Sequence, residues 1–361
     1  MQTFGFSSHK LSVSESTGRG ENYNYDAIYR LLNENITGGP SNGSLGYGLD
    51  AVGNRTSLTS TLAELQSQTA SYDADDRISG DTFDANGNTL TSNGVTYGYE
   101  FEDRSVSTST GVQIVYDGDG NRVSETVGEI TTKFLVDEHN PTRYAQVAEE
   151  IVNGAVAAQY TYGVMRISQN RAATVSYYGY DGGGSVRQLL NTAGVVTDTY
   201  AYDAFGSIVA RTGSTVNTYQ YRGEQFDAAL GMYYLRARYY VPKTGRFLTS
   251  DKYEGCCCTP SASEAAHHSY LYADGDPVNL VDPTGRTRSH QLRDEISCGD
   301  KGVDRRGANG GKGGLCSAIL SRTAALRRRL SRVFRKHARC GPVSTCFVAW
   351  RAYHRSRGSR S

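Results

Sequence analysis

The sequence predicts a mainly β protein, in which antiparallel β-hairpins form a long sheet and a short basic helix lies near the C-terminus. Three observations indicate this fold class. Aromatic and β-branched segments alternate with Asp-Gly and Asn-Gly turns, the 361 residues include 41 Gly and 26 Tyr, and positive charge is concentrated at one end. With only 38% hydrophobic residues, we expect a core built from aromatic rings more than from Leu and Ile.

Five segments share the hairpin pattern. Each joins an aromatic-bearing stretch to an Asp, a Gly two or three residues later, and a short apolar or β-branched stretch. Because Asp and Asn side chains cap their own turns and Gly supplies positive φ, each unit is a strand, a tight turn and a strand. The turns begin at Asp50, Asp84, Asp117, Asp181 and Asp203.

The turn DGDGN at Asp117 also has the first spacings of a calcium-binding EF-hand loop. That loop requires Gly at its sixth position and Glu at its twelfth, where this sequence has Arg122 and Gly128. Turn chemistry is therefore favoured, and the sequence predicts no metal ion and no cofactor.

A second region interleaves aromatic residues with arginines. Residues 219–251, YQYRGEQFDAALGMYYLRARYYVPKTGRFLTSD, closely resemble the RHS repeat-associated core domain, and HHSYLYADGDPVNLVDPTG at 267–285 is similar to the end of that domain. The Tyr-Asp hairpin units resemble the YD repeats of the same family. The core-motif residues are Arg222, Gly223, Tyr234, Arg236, Arg238, Tyr239, Tyr240, Gly245 and Phe247. A strand through this motif would put Arg236 and Arg238 on one face, where guanidinium planes stack on rings.

This resemblance implies a fold and a domain organisation. In RHS proteins and the related insecticidal toxin-complex C subunits, YD repeats form a hollow β-shell around a C-terminal toxin, and the core domain closes one end. We therefore expect a lead segment at 1–19, a YD-repeat sheet at 20–218, a core domain at 219–285 and a variable basic tail at 286–361. Roughly 265 residues of repeats and core form too few hairpins to wrap a cavity, so a partial shell is expected.

The resemblance also implies self-cleavage. RHS cores resemble aspartyl proteases that release their own C-terminus just past the DPxG motif, and the matching aspartates are Asp251 and Asp282. Two adjacent carboxylates tend to share one proton, so that one activates water while the other donates a proton. Arg246 is the candidate to orient or polarise this pair. The expected cleavage site comprises Gly285, Arg286 and Thr287.

An alternative interpretation gives the two aspartates no catalytic role. Asp-Pro-Thr-Gly is a favourable type I turn, so Asp282 would serve only to cap it. The sequence also departs from the family after each aspartate, with Lys252 in place of Pro and Arg286 in place of an apolar residue. The second function class is therefore a structural or cell-surface YD-repeat module that does not cut itself.

The tail carries most of the positive charge. Residues 287–361 hold 18 Lys and Arg against four acids, a net +14, whereas the rest of the chain carries −13. From Leu315 onward an amphipathic helix is expected, and its basic face could bind nucleic acid, an anionic membrane surface or an acidic protein. The tail is also the expected cargo, and an immunity protein is a further expected partner. The residues for anion binding are Arg327, Arg328, Arg329, Arg332 and Arg335.

Compartment and cysteine usage are also informative. The N-terminal residues lack the pattern of a secretory signal, and no stretch approaches 18 apolar residues, so we expect a cytoplasmic stage followed by non-classical export or surface association. The run Cys256, Cys257 and Cys258 suits a reduced cytosol. A zinc site formed by Cys256 and Cys258 with His267 or His268 lacks CxxC spacing, and a surface insertion is favoured.

Overall fold

The computed structural model describes residues 2–4, 9–251, 268–286 and 289–290. They belong to a compact unit formed by Met1–Glu254 and Ala265–Asp300, whereas the second unit, Gly255–Glu264 with Lys301–Ser361, lies outside the described residues. The predicted tail helix lies outside them as well. So do the sequence-based predictions for Thr287, Cys256, Cys258, His267, Arg327, Arg328, Arg329, Arg332 and Arg335.

The N-terminal hairpins form a seven-stranded antiparallel sheet, in which the strands neighbour one another in sequence order. Its strands are β1 (Gln2–Phe4), β2 (Lys10–Ser14), β3 (Gly20–Tyr25), β4 (Leu31–Thr37), β5 (Gly43–Leu49), β6 (Arg55–Ser60) and β7 (Gln68–Thr69).

The next hairpins form a fourteen-stranded antiparallel sheet, again in sequence order. Its strands are β8 (Thr82–Phe83), β9 (Thr89–Ser92), β10 (Val95–Tyr99), β11 (Ser105–Thr108), β12 (Val112–Tyr116), β13 (Arg122–Val127), β14 (Ile130–Asp137), β15 (Gln146–Val152), β16 (Ala155–Tyr162), β17 (Arg166–Arg171), β18 (Thr174–Tyr180), β19 (Val186–Leu190), β20 (Val196–Tyr202) and β21 (Ile208–Thr212). The expected hairpin sheet is thus confirmed.

The core motif forms a separate four-stranded sheet, and a two-stranded pair follows it. These strands are β22 (Gln225–Asp227), β23 (Met232–Leu235), β24 (Arg238–Val241), β25 (Arg246–Phe247), β26 (Leu280–Val281) and β27 (Ser289–His290). Short 3₁₀ helices occupy Tyr221–Gly223 and Tyr272–Gly275. Within the described ranges, no helix has the length and apolarity that a membrane span requires.

The five predicted turns share one hydrogen-bond pattern. At Asp50, the backbone N–H donates to the Asn54 carbonyl (3.0 Å), and Oδ1 accepts the N–H groups of Val52, Gly53 and Asn54. Gly53 has φ of +107°, which a residue with a side chain rarely adopts. Two of these bonds recur in the other four turns. The backbone N–H of the aspartate donates to the carbonyl of the residue four positions later, and the N–H of that residue donates to the aspartate Oδ1. The aspartates are Asp84, Asp117, Asp181 and Asp203.

Tyrosines connect these hairpins and form much of the core. Where a Tyr precedes the turn aspartate, its hydroxyl donates to a main-chain carbonyl of an earlier strand, as Tyr116, Tyr180 and Tyr202 do at 2.9, 2.7 and 3.0 Å. The largest buried cluster is mainly aromatic, as the composition predicts. Three core-domain hydroxyls bind successive carbonyls of the last YD turn: Tyr221 at Ala204 (2.7 Å), Tyr240 at Phe205 (2.7 Å) and Tyr233 at Gly206 (3.0 Å). These contacts fix the core sheet to the end of the repeats.

Candidate active site

The two aspartates singled out by the sequence lie close to one another in the fold. Asp251 follows β25, and its backbone N–H donates to the carbonyl of Ser269 (2.8 Å). Asp282 directly follows β26. Both side chains are almost completely buried, with 3% and 5% of their surface exposed. Buried carboxylates require a positive or hydrogen-bonding partner.

That partner is Arg238, which contacts both carboxylates through one nitrogen. Its Nη2 lies 3.1 Å from Asp251 Oδ2 and 3.8 Å from Asp282 Oδ2. Its Nη1 donates to the Ser269 carbonyl (3.0 Å), and its guanidinium lies 3.7 Å from the centre of the Phe247 ring. Burial lowers the pKa of Arg238 to about 10, although both aspartates oppose that shift, so the guanidinium remains charged at neutral pH.

Arg246, which the sequence suggested as the residue that orients the pair, lies elsewhere. Its guanidinium donates to Asn54 Oδ1 and to the Asp76 carbonyl, and it stacks between the rings of Tyr72 and Tyr270. Strand pleating explains the difference. Tyr240 pairs with Phe247 across β24 and β25, so Phe247 shares the face of Arg238, and the neighbouring Arg246 points to the opposite face.

The Asp282-Pro283-Thr284-Gly285 segment is also a turn, as the alternative interpretation predicts. Asp282 Oδ1 accepts the N–H of Thr284 (3.3 Å), the hydroxyl of Thr284 (3.2 Å) and the N–H of Arg286 (3.1 Å). The other oxygen, Oδ2, faces Arg238. One carboxylate therefore caps the turn and also belongs to the buried cluster.

The hairpin turn between β23 and β24 lies against this segment. Arg236 has φ of +63° and occupies the turn, so the prediction that it shares a strand face with Arg238 is wrong. Both guanidinium groups nevertheless stack on rings, Arg236 on Tyr144 (5.2 Å) and Arg238 on Phe247. Arg236 Nη1 donates to the Pro283 carbonyl, and Arg238 Nε donates to the Gly285 carbonyl.

The remaining core-motif residues connect the core to the repeats. Arg222 has φ of +56° and donates to the carbonyls of Gly183 and Pro277, while Gly223 accepts a bond from Arg166. At Gly245, an added Cβ would lie 2.9 Å from the Phe205 ring. Tyr234 and Tyr239 accept bonds from Arg122 at 3.1 and 2.9 Å.

Arg122 is a buried residue whose role was not predicted from the sequence. Its Nη1 lies 2.9 Å from Asp227 Oδ2, and its guanidinium stacks on Phe134 and Tyr234. Arg55 also connects a repeat to the core domain, because its guanidinium donates to the Lys243 carbonyl. Both arginines follow a Gly-Asn pair at the end of a YD turn. This repeated Gly-Asn-Arg triplet is the sequence pattern from which their shared role could have been predicted.

The buried cluster consists of the carboxylates of Asp251 and Asp282 and the guanidinium of Arg238. Among the residues that the structure describes, no three His, Cys, Asp or Glu side chains are grouped to hold a metal ion. His268, one of the residues considered for zinc, instead lies 2.6 Å from Asn54 Oδ1 through Nε2 and accepts the Tyr270 N–H at Nδ1. Burial lowers the pKa of His268 to about 4, which keeps the ring neutral.

Comparisons with known proteins agree with this fold. The tRNA3(Ser)-specific nuclease WapA of Bacillus spizizenii is 31% identical over 261 residues, and the tRNA nuclease WapA of Bacillus subtilis is 30% identical over the same length. Each alignment covers 66% of this chain but 11% of the relative, so the chain spans about a tenth of those proteins. The Tc holotoxin pore of Photorhabdus luminescens, at 17% identity, superimposes with a TM-score of 0.61 over 80% of this chain and 17% of that chain.

The structural likeness shows the fold, and the sequence relatives confirm the resemblance to RHS and YD-repeat toxins. A model of the Teneurin YD-shell family matches residues 7–278, most of the chain. The chain therefore belongs to the Teneurin YD-shell family.

Proposed function

We propose that this chain is the repeat-and-core portion of a bacterial toxin carrier that cuts its own main chain once, between Arg286 and Thr287, and releases the basic tail. The observation that carries this proposal is the shared contact of Arg238 with Asp251 and Asp282. The same guanidinium binds the carbonyl of Gly285, one residue before the peptide unit of Arg286. A buried acid pair thus lies beside the segment to be cut.

In the proposed reaction the two carboxyl groups hold one proton between them. The ionised group takes a proton from water as the water oxygen attacks the carbonyl carbon of Arg286. The protonated group donates a hydrogen bond to the developing oxyanion, and the group that took the proton from water delivers it to the Thr287 nitrogen as the C–N bond breaks. The atoms of water are divided between a new carboxyl group on Arg286 and a new amine on Thr287. Because the substrate belongs to the same chain, positioning supplies much of the rate.

Replacement of each aspartate tests the proposal. Under denaturing conditions, wild-type chain should separate into a body of 286 residues and a tail of 75, with Trp350 fluorescence in the smaller fragment. Asp251→Asn and Asp282→Asn should stay whole, because an amide cannot act as the base. Asp276→Asn is the matched control: Asp276 is also buried and accepts bonds from Asn279, but it lies outside the cluster and this variant should still be cut.

If wild-type chain remains intact for hours at mildly acidic and at neutral pH, self-cleavage is excluded. In that case the turn bonds of Asp282 favour the second candidate function, which is a structural YD-repeat module. The aspartate would then serve only to cap the turn. An amide at position 282 would then keep the turn and change only the contact with Arg238.

The tail is the proposed cargo. Its net charge of +14 and the names of the two WapA relatives, both tRNA nucleases, support RNA as the target class. Proteins that release a toxic segment require protection of the producing cell, so an immunity protein that covers the tail is part of this proposal. Export from the producing cell is a further part.

A further inference from the structure

The hairpin turn at 236–238 contacts three successive carbonyls of the segment that precedes the proposed cut. Arg236 Nη1 donates to the carbonyl of Pro283, the backbone N–H of Ala237 donates to that of Thr284 (3.2 Å), and Arg238 Nε donates to that of Gly285. We propose that this turn is a main-chain clamp that sets the position of the cut. This inference rests on the proposed self-cleavage and assigns Arg236 as a positioning residue for it.

The clamp recognises the backbone, because all three acceptors are main-chain oxygens. Gly285 lies so close to the turn that an added Cβ would be 2.5 Å from the Leu235 carbonyl and 3.0 Å from the Arg238 nitrogen. Hydrogen bonds to main-chain acceptors do not depend on the side chains of the bound segment, as in peptides that add a strand to a sheet. The cut should therefore fall at a fixed distance from Gly285, whatever residues occupy 286 and 287.

Arg236 is held in place by groups outside the site. Glu224 accepts bonds from its Nη1 at 3.1 and 3.0 Å, the carbonyl of Ala145 accepts its Nε at 3.2 Å, and the ring of Tyr144 lies beneath the guanidinium. The side chain of Glu224 is 14% exposed, and its partial burial raises the pKa of the carboxyl while Arg236 opposes that shift. The repeat segment at 144–145 and the core residue Glu224 thus aim one guanidinium at the Pro283 carbonyl.

A matched pair of arginine variants separates positioning from general stability. Arg171 also pairs with a glutamate, Glu150 (2.8 Å), and also lies over a tyrosine ring, and its side chain is 18% exposed compared with 17% for Arg236. In the full chain we expect Arg236→Ala to slow cleavage about 10- to 100-fold, because small misplacements of reacting groups have effects of that size. Arg171→Ala should lower the melting temperature by a similar amount and leave the cleavage rate unchanged. Arg236→Lys, which retains a donor, should recover most of the rate.

Hydrogen exchange gives a second measurement that does not depend on cleavage. In an Asp251→Asn background the chain stays whole, and amide exchange of the peptide covering 282–286 reports whether the segment is held. Arg236→Ala should accelerate that exchange, and Arg171→Ala should not. Unchanged exchange overturns the clamp. If wild-type chain is never cut but exchange responds as expected, the proposed function fails while the clamp remains. Equal loss of cleavage in both alanine variants would show that Arg236 acts only through stability.

Discussion

Gly285→Ala should slow the proposed cleavage strongly, because position 285 has no room for a side chain. Gly285 has φ of +68°, where a residue with a side chain loses about 1–2 kcal/mol. An added Cβ would also lie 2.5 Å from the Leu235 carbonyl, and this oxygen cannot withdraw easily, because it accepts the Ala237 N–H (2.7 Å) within the hairpin turn. The segment itself must therefore move.

The size of that movement sets the expected effect. Contacts of Cβ atoms below 3.0 Å are essentially never observed, so the segment has to shift by roughly half an ångström or more. A displacement of about 1 Å at a reacting group costs on the order of 100-fold in rate. We therefore expect Gly285→Ala to slow cleavage roughly 10- to 100-fold, as measured by intact mass under denaturing conditions over a time course.

Gly231→Ala is the control for backbone strain alone. Gly231 has φ of +69°, nearly the same as Gly285, but an added Cβ would have no heavy atom within 4 Å. This variant should lose about 1–2 kcal/mol of stability and be cut at the wild-type rate. The reasoning is refuted if the two variants are cut equally fast, or, in an uncut chain, if Gly285→Ala unfolds at the same temperature as Gly231→Ala.

Three further predictions concern charge. Burial raises the pKa of Glu125 from 4.5 to about 8, and Asp227 adds to that shift. Between these two values the folded chain binds a proton that the unfolded chain releases, so stability should fall as the pH rises from 4.5 to about 8. Urea denaturation of Glu125→Gln should lack that slope, and an identical slope would contradict the assignment. Burial is the main cause of the lowered pKa of Arg238, and the positive charge of Arg286 adds to it. Arg286→Leu removes this like charge from the site and should accelerate cleavage by several-fold in the same mass assay. The isolated tail 287–361 should bind RNA with an affinity that drops steeply as the salt concentration rises, because its net charge of +14 displaces counterions from the phosphates. Binding that is insensitive to salt in a filter assay would exclude an electrostatic role.

The repeats could be predicted from sequence because their determinants are local. Asp50, Gly53 and Asn54 lie within five residues of one another, and the bonds that define the turn, from the N–H groups of Gly53 and Asn54 to Asp50 Oδ1, are local. The same chemistry recurs in each hairpin, so the order of strands in both large sheets follows the order of turns in the sequence.

The site could be predicted only in part, because its geometry depends on strand register. The resemblance identified Asp251 and Asp282, which are 31 positions apart, but the sequence could not show which arginine faces them. Arg238 and Arg246 occur in similar aromatic surroundings, and only the pairing of Tyr240 with Phe247 puts Arg238 on the face of the acids. Shifting that register by one residue would put Arg246 on the same face as Arg238.

The two interpretations of Asp282, as a turn cap and as an acid, are compatible because they use different oxygens. Oδ1 accepts the bonds of the turn, and Oδ2 lies 3.8 Å from Arg238 Nη2. Asp282→Asn can keep a carbonyl oxygen at the first position, since Asn caps turns as well as Asp does, and it changes only the atom that faces Arg238. Asp282→Ala removes both functions at once, so its loss of cleavage would be equally consistent with a collapsed turn. The asparagine variant is therefore the one that distinguishes chemistry from architecture, and it should retain the wild-type exchange pattern at Thr284 and Arg286 while the chain stays uncut.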